Sequence, residues 1–149
     1  MPATGYLKHM DTIAKIQLRL GKLREYVKLL KSFGRVTEEE LVRDLARRGT
    51  IERYLQLAIE ACMDIAELII SDQRFPSPED GREAIEILGR EKVIDEQFAK
   101  EFSHSVGFRN ILVHDYVKID YKEVADKINN RLGDFDRFAR EVAKFLESK

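Results

Sequence analysis

The spacing of apolar residues, in segments that no proline interrupts, most constrains what this chain can fold into. In the first segment the intervals between apolar residues alternate between three and four positions, so these residues share one face of an α-helix: Ile13, Ile16, Leu20, Leu23, Val27 and Leu30. The same spacing recurs in Ile51, Leu55, Ala58, Cys62, Ile65 and Ile69. The prolines lie outside both segments, at Pro2, Pro76 and Pro78. No segment alternates with the period of two that is typical of strands, so the sequence predicts an all-α protein.

Residues that begin or end helices divide the chain into four main helices and a short one. Gly34 is a predicted helix end, and Thr37 with Glu40 forms a capping box that begins the second helix. Gly49-Thr50 is predicted to break or kink that helix. Further helix starts are predicted at Ser77-Pro78-Glu79, Asp95 and Asp120. These elements fit an antiparallel four-helix bundle with one short extra helix, in a single domain over residues 1–149.

Charge and cysteine content narrow the classes of function. The net charge of −1 gives no overall field that attracts nucleic acid, so RNA binding requires a local basic patch. Most basic runs are solvated surface, but the densest one is the candidate contact to an RNA backbone: Arg43, Arg47, Arg48 and Arg53. The chain has a single cysteine, Cys62, which excludes an internal disulfide. Cys62 lies on an apolar stripe and is expected in the core. No spacing typical of a metal site is present. We predict no membrane span and no signal peptide, and therefore a cytoplasmic protein.

The segment Gly107–Asp120, with the sequence GFRNILVHDYVKID, places an arginine, an amide, a histidine and a tyrosine within eight residues. On a helix Arg109 and His114 are five residues apart and point about 140° away from each other, whereas Asn110 and His114 share a face. One helix therefore does not bring the arginine and the histidine together. Either the helix ends within the segment, or the two side chains meet through a second copy of the chain.

Two interpretations of Arg109 and His114 follow from their chemistry. A histidine base for the 2′-hydroxyl and an arginine that stabilises charge on phosphorus are what metal-free cleavage of RNA needs. On composition and spacing alone, the commoner case is a histidine that stabilises a helix end and an arginine that pairs with an acid. Glu60 and Asp64 most simply form a solvated face, although a carboxylate there is a possible partner for Arg109.

The eight residues Arg109–Tyr116, RNILVHDY, resemble the signature of HEPN-domain proteins of the HepT-like toxin group. That signature is an arginine, a polar residue, three further residues, a histidine, one residue and a tyrosine. Two flanking segments also resemble the group, namely Glu52–Ile70 and Gly81–Asn110. The resemblance extends over the C-terminal two-thirds of the chain, from about Leu41 onward.

The resemblance implies a homodimer in which two motifs face each other across a cleft. It implies a metal-independent ribonuclease toxin that needs no cofactor and is paired with a minimal nucleotidyltransferase antitoxin. Carried over, Arg109 and His114 are the catalytic residues, Asn110 supports them, and Tyr116 is an exposed acceptor of AMP from the antitoxin. The alternatives are a non-catalytic subunit that presents nucleotide or substrate to a nucleotidyltransferase, and a helical dimer with a structural role.

Overall fold

The computed structural model describes residues 3–149, and these residues form α-helices and one 3-10 turn, without a strand. The helices are α1 (Ala3–Lys31), α2 (Glu38–Arg43), α3 (Leu45–Gln73), α4 (Gly81–Arg90), α5 (Glu96–Phe102), α6 (His104–His114), α7 (Tyr121–Asn130) and α8 (Leu132–Glu147). The 3-10 turn, Tyr116–Lys118, lies between α6 and α7. The prediction of an all-α fold is confirmed.

The two longest helices, α1 and α3, form the frame of the bundle. Tyr26 packs against Tyr54 near one end, and His9 bonds to Asp72 near the other, so the two helices run antiparallel. Helix α8 packs against α1, and α4 and α6 pack against α3. Apart from the half-buried Ile13, both predicted stripes are buried, and together they form the centre of the core. Burial of these stripes stabilises the helices more than their intrinsic propensity does.

The break predicted at Gly49-Thr50 is wrong, because Gly49 lies inside α3. The chain breaks earlier, at Asp44, whose extended backbone separates α2 from α3 and whose side chain accepts a hydrogen bond of 3.0 Å from the Arg47 backbone N–H. A carboxylate at this position satisfies an unpaired N–H group of the first turn. The start of α2 is confirmed, since Thr37 accepts a hydrogen bond from the Glu40 N–H.

Later helix starts are partly confirmed. Asp95 and Asp120 cap α5 and α7 as predicted, but α4 begins at Gly81 with Asp80 as its cap, beyond the predicted Ser77-Pro78-Glu79 start. The chain also divides at two places where the sequence predicts continuous helix. Ser103, fully buried, separates α5 from α6, and Arg131 separates α7 from α8.

Packing explains the division between α5 and α6. The Ser103 hydroxyl donates to the Lys100 carbonyl at 2.8 Å, which satisfies this buried polar group within the turn. A cluster of aromatic rings holds α5 against α8, formed by Phe98, Phe102, Phe135 and Phe138. The turn at Ser103 therefore gives α6 its own direction along α3, and α6 carries the motif. Within the described residues, no helix has the length and apolar character needed to cross a membrane.

Candidate active site

Helix α6 carries three of the four motif side chains, and the fourth, Tyr116, lies in the 3-10 turn that follows it. It runs without interruption through Arg109 and Asn110 and ends at His114. The backbone then leaves the helix at Asp115, whose N–H donates to the Ile111 carbonyl. Because the helix does not end between the arginine and the histidine, these two side chains of one chain point in different directions.

Arg109 is held in place by a carboxylate on the neighbouring long helix. Its Nε donates to Oε2 of Glu60 at 2.8 Å, its Nη2 lies 2.7 Å from the same oxygen, and its Nη1 donates to the Asn110 side-chain oxygen at 2.9 Å. Glu60 also accepts a hydrogen bond of 3.1 Å from Gln56. Of the two interpretations of Glu60, the structure therefore supports the partner for Arg109.

The hydrogen bonds of Arg109 leave part of its guanidinium free. A guanidinium has five N–H donors, and Glu60 and Asn110 occupy at most three of them, one on each nitrogen. At least two N–H groups remain, one on Nη1 and one on Nη2, and the side chain as a whole is 21% exposed. N–H donors on a fixed planar cation suit the oxygens of a phosphate.

A second acid, Asp64, lies one turn further along α3. Its carboxylate is 3.8 Å from the Arg19 Nε on α1. Partial burial raises the pKa of Asp64. The Arg19 guanidinium opposes this rise, the Glu60 carboxylate adds to it, and the Arg109 guanidinium opposes it. The two acids and two arginines therefore form one electrostatic network across α1, α3 and α6.

His114 and Tyr116 are both exposed, in contrast to Arg109. Tyr116 lies in the 3-10 turn with 70% of its surface exposed. Neither side chain forms a hydrogen bond or ion pair with another residue in the 3–149 range. The Tyr116 hydroxyl is thus accessible to another protein, and the His114 imidazole is free to accept a proton from a bound molecule.

The outer face of α6 is open to solvent. Gly107, Asn110, Ile111 and His114 follow one another at helical spacing and are all exposed. This outer face contains a small residue, an apolar side chain and the motif histidine, and no other element of residues 3–149 covers it.

The structure divides the basic run into two pairs. Arg47 donates to the Phe33 carbonyl at 3.2 Å and lies 5.2 Å from the centre of that ring. Arg48 donates to two carbonyls near the end of α2 and stacks on the tyrosine ring at the start of α7. Both guanidinium groups are therefore engaged in the fold. Arg43 and Arg53 are exposed and remain available to a ligand.

The other two histidines form contacts that the sequence does not predict. His9 bonds through Nδ1 to both oxygens of Asp72, at 2.8 and 2.9 Å, and His104 Nδ1 lies 3.0 Å from an Arg82 Nη2. The first contact joins residues 63 positions apart, so no local spacing predicts it. Within the described part of the chain, no three side chains of histidine, cysteine, aspartate or glutamate are grouped so that they could hold a metal ion.

Comparison with known proteins gives a family and a fold. The family model described as "Ribonuclease HepT-like" matches residues 23–142. A tRNA nuclease HepT of Aphanizomenon flos-aquae is 29% identical over 131 residues, which cover 88% of this chain and 89% of that protein. An mRNA nuclease HepT of Shewanella oneidensis is 30% identical over 95 residues, or 64% of this chain and 71% of that protein.

A solved structure is also similar over most of its length. It is the tri-AMPylated Shewanella oneidensis HEPN toxin in complex with MNT antitoxin, with a TM-score of 0.79 and 24% sequence identity. The match covers 87% of this chain and 96% of that chain. At this level of identity the likeness shows a shared fold.

Proposed function

Because the chain belongs to the Ribonuclease HepT-like family, as the resemblance of its motif predicts, we propose that it is a metal-independent endoribonuclease and the toxin of a toxin–antitoxin pair. The observation that carries this proposal is the arrangement of Arg109. Its guanidinium is fixed by Glu60 and Asn110, two of its N–H donors stay free, and an exposed histidine ends the same helix. A helix with a structural role requires none of these features.

The proposed reaction divides the chemistry between the two catalytic residues. His114 accepts the proton of the RNA 2′-hydroxyl, and the oxygen attacks the adjacent phosphorus. The free N–H groups of Arg109 stabilise the negative charge that develops on the phosphate oxygens. The bond between phosphorus and the 5′-oxygen breaks, the 5′-oxygen takes up a proton from water, and the expected product ends in a 2′,3′-cyclic phosphate. Asn110 orients Arg109 and does not transfer a proton.

The site is complete only in a dimer. The five-residue separation on α6 turns Arg109 and His114 of one chain away from each other, by about 140°. A second copy that packs on the outer face of α6, across Gly107 and Ile111, brings both His114 side chains to one cleft. Ile111→Glu is expected to place a charge in this contact, to lower the mass of the assembly and to reduce cleavage by at least about a hundredfold.

The antitoxin acts on Tyr116 in this proposal. The exposed hydroxyl accepts AMP from a minimal nucleotidyltransferase, in analogy to the AMPylated state named for the Shewanella oneidensis toxin. AMP brings a negative phosphate close to the motif, where it occupies the RNA site and competes for Arg109. Neutralisation therefore combines steric blocking with charge.

The proposal also assigns the contacts to RNA, the cellular compartment and the extent of the domain. Arg43 and Arg53 are the exposed members of the basic run and are the proposed contacts to the RNA backbone. Arg47 and Arg48 support that surface through their contacts in the fold. We place the reaction in the cytoplasm and assign it to one domain over residues 1–149.

The decisive experiment is incubation of the purified chain, free of antitoxin, with total RNA in EDTA. Cleavage is expected to persist and to leave 2′,3′-cyclic phosphate ends. His114→Ala is expected to slow it by about 10²–10⁴-fold. His104→Ala is the matched control, because His104 is an exposed histidine of the same helix outside the motif. Cleavage that stops in EDTA, or an equal loss in both variants, contradicts the mechanism.

A further inference from the structure

Arg19 on α1 is a second arginine beside the motif, and the proposed reaction does not use it. Its Nε lies 3.8 Å from the carboxylate of Asp64 on α3. Partial burial raises the pKa of Asp64, and the guanidinium groups of Arg19 and Arg109 both oppose this rise. Arg19 therefore acts on the same small region of α3 as the motif arginine does.

Two acids on α3 connect the two arginines. Arg109 approaches Glu60 from α6, and Arg19 approaches Asp64 from α1. Glu60 and Asp64 are four residues apart, so they share a face of α3 and are offset by about 6 Å along its axis. Phosphates of one stacked nucleic-acid strand follow one another at about 3.4 Å along the axis of that strand. The offset between the two acids is therefore the length that about two nucleotides cover.

The guanidinium of Arg19 is largely free of hydrogen bonds. Its one hydrogen bond within residues 3–149 joins Nη1 to the Lys15 carbonyl at 3.4 Å, and this bond is longer than the usual range of about 2.7–3.2 Å. The contact of 3.8 Å with Asp64 is an ion pair without a hydrogen bond. The Arg19 side chain is 37% exposed, compared with 21% for Arg109. A phosphate oxygen, which accepts short charge-assisted hydrogen bonds, can therefore replace this loose contact.

The neighbouring cations of α1 are paired within the helix, in contrast to Arg19. Lys15 lies 3.2 Å from Asp11, and Lys22 lies 3.5 Å from Glu25. The sequence places no acid three or four residues from Arg19, so this side chain has no such partner on α1. Its charge is directed toward α3 and the side of the fold on which Arg109 is held.

We propose that Arg19 forms a second phosphate subsite, which binds a phosphate of the RNA strand close to the one that is cleaved. This inference rests on the proposed ribonuclease function, because it assigns the cleaved phosphate to Arg109. Arg19 contacts a part of the substrate that does not react, so it attracts the strand equally in the ground state and in the transition state. The subsite takes an oligonucleotide with at least two phosphates, and it does not read the bases.

The first test measures binding of an RNA that cannot be cleaved because its 2′-hydroxyls are methylated, by fluorescence anisotropy over a range of salt concentrations. Arg19→Gln is expected to lower the steepness of log K against log salt by about 0.7, the share of one phosphate contact with a single strand. Arg19→Lys keeps the charge and should keep the wild-type slope.

The matched control for the binding test is Arg24→Gln. Arg24 is an exposed arginine of the same helix, five residues further on, and it points about 140° away from Arg19. This variant should bind with the wild-type slope. The subsite is wrong if Arg19→Gln also binds with the wild-type slope, or if both glutamine variants lower the slope equally.

The second test separates the subsite from the nuclease and from a role of Arg19 in the fold. On an RNA that the wild type cleaves, Arg19→Gln should raise KM about three- to tenfold and leave kcat unchanged, because it removes uniform binding. The Tm should stay within about 2 °C of wild type, since an exposed ion pair contributes little. If the wild type cleaves and Arg19→Gln lowers kcat at an unchanged KM, or changes neither, the subsite is wrong and the nuclease stands. If the wild type neither binds nor cleaves RNA, the proposed function and the subsite both fail.

Discussion

The carboxylate of Glu60 offers the sharpest test of how the fold prepares the candidate site. Glu60→Gln keeps the size of the side chain and one carbonyl acceptor but removes the negative charge. A charge-assisted hydrogen bond of 2.8 Å and a second ion-pair contact of 2.7 Å join Glu60 to Arg109, and the two side chains are 27% and 21% exposed. We therefore expect the guanidinium to keep its general position and to lose its fixed orientation.

The effect on stability should be small and the effect on catalysis large. Hydrogen bonds to charged groups contribute about 1.5–3 kcal/mol each when buried, and the glutamine retains one acceptor at this partly exposed site, so we expect a loss of about 1 kcal/mol. For a chain of this size that loss lowers Tm by about 2–4 °C. A shift of about 1 Å in a catalytic group can cost about a hundredfold in rate, so the single-turnover cleavage rate should fall by about 10- to 100-fold.

The assay is single-turnover cleavage of a defined RNA by the purified chain, with thermal unfolding followed in the same buffer. Glu67→Gln is the matched control, because Glu67 is an exposed glutamate of the same helix, two turns further on. It should leave both the cleavage rate and Tm unchanged. If Glu60→Gln cleaves at the wild-type rate while remaining folded, the fixed orientation of Arg109 has no part in catalysis.

Three further predictions concern single side chains. Tyr116→Phe should gain no AMP when incubated with the cognate nucleotidyltransferase and ATP, as measured by the mass of the intact chain. If the variant and the wild type are modified equally, Tyr116 is not the acceptor. Asp64 has a folded-state pKa above the unfolded value of about 3.9, so the stability that its proton contributes is present below about pH 4 and is lost as the pH rises through the folded pKa. Asp64→Asn should therefore gain free energy of unfolding relative to wild type between about pH 3 and pH 7, and a constant difference would contradict this sign. Burial raises the pKa of the Cys62 thiol well above its ordinary value. The native chain should therefore not react with a thiol reagent until denaturant unfolds it. Fast labelling of the native chain would contradict the burial of Cys62.

The sequence by itself determined the fold class, the core and the motif. Helical periodicity is a local property, because residues three and four apart share a face of a helix whatever surrounds it. For the same reason Thr37, Asp95 and Asp120 mark helix starts that the structure confirms, since a cap bonds to N–H groups only two or three residues away. The order of residues in Arg109–Tyr116 likewise identifies the family without any tertiary information.

Only the tertiary structure decided where long helical segments divide and which side chains meet. The break between α5 and α6 depends on the burial of Ser103 and on aromatic rings contributed by α8, which no local pattern contains. The Glu60–Arg109 pair joins residues 49 positions apart, and its value depends on the packing of α6 against α3. Arg47 and Arg48 resemble free surface cations in the sequence, yet the folded chain engages both with carbonyls and aromatic rings. Such contacts join residues that only the packing of distant helices brings together.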